Sequence, residues 1–173
     1  MQGYKKRSVA PLNGALQEGV VKDGRYEIFI QSSGIAGKDW AEVLKKKGFP
    51  VEPSARGVLC SPGFKISSGE RNIIVIFNFS AFQEAIKEPD FKKNYAPPTA
   101  EMACYLRYKL KGPELKALRI ERLAVTHEPI VIDGISRVLV IRHNDLIKGF
   151  TSLSVRGGNK LHGVDGYAYV KKR

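Results

Sequence analysis

Residues 123–134, LAVTHEPIVIDG, decide how the fold is read. Leu123, Val125 and His127 fall on one face of an alternating strand, with Ala124 and Thr126 on the other. Pro129 interrupts that strand, because it has no N–H to donate to a ladder. Asp133-Gly134 then fits the two-residue turn of a hairpin between strands at 130–132 and 135–142. Further short strands are expected at 150–155 and 167–171, set apart by turns at Gly157-Gly158-Asn159 and Asp165-Gly166.

The first half reads differently. Residues 25–31 (RYEIFIQ) alternate, with Tyr26, Ile28 and Ile30 on one face, and residues 72–79 read as a strand covered on both faces. Between and after them helices are expected. One spans 39–47, where Trp40, Val43 and Leu44 share a stripe and Gly48 is the stop. Others are expected at 53–60, from Ser80 to about 87, and at 99–110, where Ala103, Leu106 and Leu110 face inward. Pro113 opens a last short one over 114–118, while 92–98 reads as loop. Helices first and hairpins later imply an α+β fold: a single domain with a mainly antiparallel sheet, three to five helices packed on it and a strand-rich C-terminal half. Residues 1–23 are expected to form a flexible N-terminal arm, and 24–173 the domain.

At 173 residues the chain is long enough to bury a core without staples. Its longest apolar run, 73–77, falls far short of the roughly 20 residues a bilayer crossing needs. The basic start MQGYKKRSVAPLNG has no apolar stretch behind it, so neither secretion nor membrane contact is expected and the cytoplasm is the expected compartment. Cys60 and Cys104 are not closely spaced, which excludes a zinc or redox pair; both read as small core residues. No cofactor and no metal site is expected, and oligomeric state is left open.

Charge is the property that leans. Twenty-nine Lys and Arg against 17 Asp and Glu give a net +12, which favours nucleic acid or another polyanion as partner. The plain alternative is a basic, soluble surface. Candidate contacts are Lys5, Lys6, Arg7, Arg107, Arg156, Lys160, Lys171, Lys172 and Arg173, with Tyr105, Tyr108 and Lys109 beside Arg107 for stacking on bases. Lys45, Lys46 and Lys47 crowd the last turn of their helix, where cations offset the helix dipole, and so have a structural reason of their own.

The chemistry-bearing candidates are His127, Glu128 and Asp133, with His143 as a further partner, in a small hydrolase or metal-assisted enzyme. Adjacent strand residues point to opposite faces, so His127 and Glu128 converge only if Pro129 bends the chain. The competing reading has His127 bonding backbone and Glu128 paired with a Lys or Arg. No HExxH spacing is present, and Gly34-x-x-Gly37-Lys38 lacks the spacing and the Ser or Thr of a phosphate loop. An interaction subunit without chemistry is the third alternative.

AEMACYLRYKLKGPELKALRIERLAVTHEPIVIDG, residues 100–134, resembles a stretch recurring in a group of small uncharacterised bacterial proteins. There a helix bearing Ala-Glu-x-Ala-Cys precedes a short helix, a strand, and His-Glu-Pro-Ile ahead of an acidic, glycine-containing turn. The matching positions are Ala100, Glu101, Ala103 and Cys104, then His127, Glu128, Pro129 and Ile130, then Asp133 and Gly134. The resemblance covers residues 38–66 and 99–170 and leaves the first 35 unmatched. Val131 and Ile132 stand where that turn is more acidic, and Lys171-Lys172-Arg173 where the group stays apolar. No activity is attached to the group, so the resemblance implies a shared fold unit and no mechanism.

Overall fold

A computed structural model describes residues 19–22, 25–77, 79–144, 148–155, 161 and 163–173. In chain order it contains β1 (Gly19–Lys22), β2 (Arg25–Ser32), α1 (Gly37–Lys46), α2 (Pro53–Leu59) and β3 (Gly69–Phe77). Then come α3 (Phe79–Ala85), α4 (Phe91–Asn94), β4 (Tyr95–Ala96), α5 (Ala100–Lys109) and α6 (Gly112–Ala117). The remainder is strand: β5 (Arg122–Val125), β6 (Ile130–Ile132), β7 (Ile135–His143), β8 (Lys148–Ser154) and β9 (Gly166–Lys171).

All nine strands join one sheet, ordered β1-β2-β3-β9-β5-β7 and continued by β8 on the outer side of β7. Every pairing between these strands is antiparallel except β5 with β9, so the α+β, mainly antiparallel reading holds. The final strand inserts at the centre, between β3 and β5. Six helices stand among the described residues where three to five were expected; the additional one, α4, is a single turn inside what reads as loop.

Alternation assigns each strand residue a face. Tyr26, Ile28, Ile30, Ile73, Val75, Leu123, Val125, Leu139, Ile141 and Ala168 line the main core, where Trp40, Leu44, Val58, Met102, Leu106 and Leu115 from the helices meet them. Complete burial of such a side chain contributes on the order of 1.5–3 kcal/mol. On the opposite face Ile74 and Ile76 meet Ala85 and Phe91, while Phe82 stacks on Tyr167 with ring centroids 3.8 Å apart. β3 is therefore covered on both sides, as its unbroken apolar run implies.

The Asp133-Gly134 turn is formed as expected, with φ of 49° and 75° at the two central residues, the signs a two-residue hairpin turn requires. Three expectations need correction. The described part of the 1–23 arm, Gly19–Lys22, is a strand hydrogen-bonded to β2; residues 1–18 and 23 lie outside the described residues. Cys60 is exposed at the end of α2 and belongs to no core, whereas Cys104 is fully buried. Residues 92–98 hold α4 and β4, the latter paired with the end of β9. The expected Gly157-Gly158-Asn159 turn lies outside the described residues.

Candidate functional site

The sheet splits where the His-Glu-Pro segment runs. β5 leaves β9 after Val125, and beyond that point β4 continues beside β9 while β6 continues beside β7. Leu123 pairs with Ile141 and Ile130 with Arg137, so seven residues on one strand face four on the other and three loop out. A bulge of this size strands a ladder N–H on β7. His127 fills the gap: its Nε2 accepts the Leu139 N–H at 2.9 Å, and its Nδ1–H donates to the Glu128 carbonyl at 2.7 Å.

Both ring nitrogens are thereby committed to backbone, in the neutral tautomer, on a residue only 3% exposed. Burial lowers the histidine pKa, partly opposed by the bond to Glu128. Glu128 points away, 85% exposed, with Lys65 Nζ at 3.6 Å. Asp133 is exposed in the hairpin turn, and His143 lies four residues past Leu139, about 13 Å along β7 in the other direction. The catalytic triad of candidates is not brought together, and no group of three or more His, Cys, Asp or Glu among the described residues could hold a metal ion. Pro129 does bend the chain, and the bend serves the ladder.

A buried acid that sequence reading passed over sits on α5. Glu101 is fully buried and accepts four hydrogen bonds: Ile35 N–H at 3.0 Å on Oε1, then Ser67 N–H at 2.7 Å, Ser67 Oγ at 2.8 Å and Ser32 Oγ at 3.0 Å on Oε2. It ties the central helix to the loops after β2 and before β3. Burial, with Glu101 adding to it, pushes the Cys104 thiol well up, which leaves no thiolate for nucleophilic work. Gly37, the second glycine of the weak phosphate-loop match, is closed off as well. A Cβ there would lie 2.0 Å from the Leu59 carbonyl oxygen, so this glycine exists for the close approach of α2.

The polar surface that remains lies where α1 and α5 end together. Trp40 meets the Tyr105 ring edge-on at 4.6 Å, holding the two helices side by side. α1 ends in a Schellman motif: Gly48 at φ 80° donates to Lys45 O, and Phe49 N–H donates to Leu44 O at 3.0 Å. That turn throws Lys47 and Phe49 toward the end of α5. Lys47 Nζ sits 4.9 Å from the centre of the Tyr108 ring, which is 38% exposed. Together Lys47, Phe49, Tyr108, Lys109 and Lys111 line an open cavity of about 440 Å³, within the range of small-ligand sites and with no acid in its lining. Beyond α6 a smaller cleft of about 230 Å³ is lined by Lys116, Arg119, Ile120, Glu121, His143 and Asn144.

Arg107, offered as a surface contact, is 1% exposed. Its guanidinium stacks on Phe49 at 4.0 Å and donates from Nη2 to the Leu110 carbonyl at 2.7 Å, and burial lowers its pKa to about 10. The C-terminal cluster is exposed but engaged. Lys171 pairs with Glu27 at 3.2 Å, Arg173 with Glu70 at 3.7 Å, and Lys172 Nζ donates to the Lys92 carbonyl at 2.7 Å. Lys5, Lys6, Arg7, Arg156 and Lys160 lie outside the described residues. The described runs of basic residues thus fall in two places: Lys45–Lys47 beside the end of α5, and Lys92-Lys93 with Lys171–Arg173 at the end of β9. No helix among the described residues is long and apolar enough to cross a membrane. Comparison of the chain with protein-family models, curated proteins and solved structures finds no match.

Proposed function

We propose that this protein is a binding module for nucleic acid, with the Lys47, Phe49, Tyr108, Lys109 and Lys111 face as its contact. The observation that carries this reading is one cavity in which three lysines and two aromatic rings converge without an acid. Cations supply the salt-sensitive attraction to phosphates, and rings supply a sequence-tolerant platform for bases. The net +12 of the chain supports the same direction. The C-terminal cluster is a weaker candidate, since Glu27 and Glu70 already neutralise part of it. The residues behind the bacterial resemblance, Glu101, Cys104 and His127, serve packing and backbone pairing, so the resemblance is proposed as one of fold alone.

The test is binding of a labelled oligothymidine across a salt series. Each phosphate neutralised on a single strand contributes a slope of about −0.7 in log K against log salt, so three lysines give about −2. Lys47→Glu with Lys111→Glu is expected to weaken binding more than tenfold and to flatten the slope by about 1.4. Lys171→Glu with Lys172→Glu serves as the comparison and is expected to change little. Binding that is independent of salt, or equal in the first double variant and the parent, refutes the reading.

A further inference from the structure

Past the lysine cavity the chain keeps turning cations outward. Residues 109–119, KLKGPELKALR, hold four cations and one acid, and the fold sorts them by sign. Glu114 is 2% exposed and accepts the Tyr26 hydroxyl at 3.2 Å and the Lys111 N–H at 3.0 Å, so the carboxylate of α6 faces the core. Lys111, Lys116 and Arg119 are exposed, and none is paired with a carboxylate among the described residues. This segment joins two concavities. Lys111 lines the larger one, while Lys116 and Arg119 line the smaller cleft beyond α6. His143 of that cleft lies against Gly112, where a Cβ would come within 2.6 Å of its Cε1, so the cleft wall begins next to Lys111. Arg119 carries a second sign. The helix ends with Arg119 N–H donating to Lys116 O at 3.0 Å and Ile120 N–H to Leu115 O at 2.9 Å. The φ of Arg119 is 57°, the left-handed position that Gly48 fills at the end of α1. A side chain is strained there, and positions of this kind concentrate at binding sites.

We propose that a single strand of nucleic acid leaves the lysine cavity and crosses the exposed face of α6, giving successive phosphates to Lys111, Lys116 and Arg119. The inference rests on the nucleic-acid reading above and extends its contact from one cavity to a path. Its first support is the sign of the surface. The acid of α6 is turned inward, and Glu121 is the one acid among the described residues lining the smaller cleft, where it meets both Lys116 and Arg119. Its second is length. Eight residues at about 1.5 Å each set Lys111 and Arg119 about 12 Å apart, which a stacked strand covers in about three to four nucleotides at about 3.4 Å each. With one more nucleotide in the cavity the site takes about four or five, within the range of sequence-independent single-strand sites. Its third is Arg119 itself. Glycine at this position would end α6 without strain, and a long cationic side chain there reaches a phosphate that glycine cannot. A duplex fits less well, because its bases stack on one another and leave the rings of Phe49 and Tyr108 without partners.

The experiment uses the full chain and 3′-labelled oligothymidines of about three, five and eight nucleotides, read by fluorescence anisotropy at low salt. Affinity is expected to rise about tenfold from the shortest strand to the middle one and to level off beyond it. Lys116→Gln with Arg119→Gly lies outside the cavity. This pair is expected to weaken the longest strand about tenfold, to flatten its salt slope by about 1.4, and to leave the shortest strand unchanged. Arg119→Gly alone is expected to raise the urea midpoint while weakening the longest strand. A variant that gains stability and keeps its affinity overturns the role given to Arg119. Equal binding of the shortest and longest strands by the parent overturns the path while the salt-dependent cavity reading stands. Equal loss of both strands in the double variant does the same. A peptide of about ten glutamates is added as competitor. Displacement matching that by unlabelled strand assigns the ridge to an acidic protein segment and overturns the nucleic-acid form, whereas weaker displacement supports it. Binding of no strand removes both readings.

Discussion

Replacing His127 by alanine distinguishes a structural histidine from a catalytic one. The change removes the acceptor of the buried Leu139 N–H and the donor to the Glu128 carbonyl. A buried N–H left without a partner costs about 1–3 kcal/mol. The emptied imidazole-sized space on a residue 3% exposed adds on the order of 1–2 kcal/mol. The expected loss is therefore about 2–5 kcal/mol, a large share of the stability of a domain this size. Trp40, the chain's one tryptophan and 1% exposed, reports unfolding by fluorescence in a urea titration near neutral pH. The midpoint should fall with little change in slope. Acidity gives a second readout. Burial lowers the His127 pKa in the folded state, so below about pH 6.5 the unfolded chain takes up a proton that the folded chain still refuses. Stability conferred by the neutral ring is present above that pH and declines as pH falls toward the lowered folded value, beyond which both states are protonated. The alanine variant lacks that component. A variant within about 0.5 kcal/mol of the parent, with an unchanged acid slope, refutes the ladder-filling role.

Two further substitutions test the frame around the site. Glu101→Gln puts an amide N–H₂ where a carboxylate oxygen meets several donors; a loss of about 2–4 kcal/mol in thermal or urea unfolding is expected, and parental stability counts against the clamp. Gly37→Ala drives a methyl against the Leu59 carbonyl and should cost about 2–3 kcal/mol by the same assay; tolerance of the methyl would mean that α1 and α2 are not held this closely.

The β6–β7 hairpin was legible in full, because alternation and an Asp-Gly turn are local signals and both register and φ follow from them. Gly48 was equally readable as a helix stop. Glu101 was not, since a single acid on a helix reads as solvated. Its signal was the company it keeps: Ala100, Met102, Ala103 and Cys104 give that stretch no polar face, so the whole turn must be buried. His127 was found and backbone bonding was among its readings, but its partner was not legible, because the three-residue bulge that creates an orphan N–H depends on pairing with β7. The central place of β9 and the meeting of Lys47 with Lys109 and Lys111 depend on contacts between segments far apart in sequence. Periodicity carries no information about either.

Helix-dipole compensation is the bland account of the Lys47 and Lys109 region, and its size can be set against the charge present. The C-terminal ends of α1 and α5 each present roughly half a negative charge, together about −1. Lys47, Lys109 and Lys111 at the cavity supply three positive charges, more than both dipoles together. At the end of β9 the balance differs: Lys171 and Arg173 face Glu27 and Glu70, Lys93 faces Asp90 at 3.9 Å, and Arg25 faces Glu88 at 2.6 Å. Cations already paired with carboxylates gain less from a phosphate, because each new contact must displace an existing one. The cavity lining itself holds no carboxylate. That is why attraction for a polyanion is assigned to the cavity, although the terminal cluster is the denser run of basic residues in the sequence.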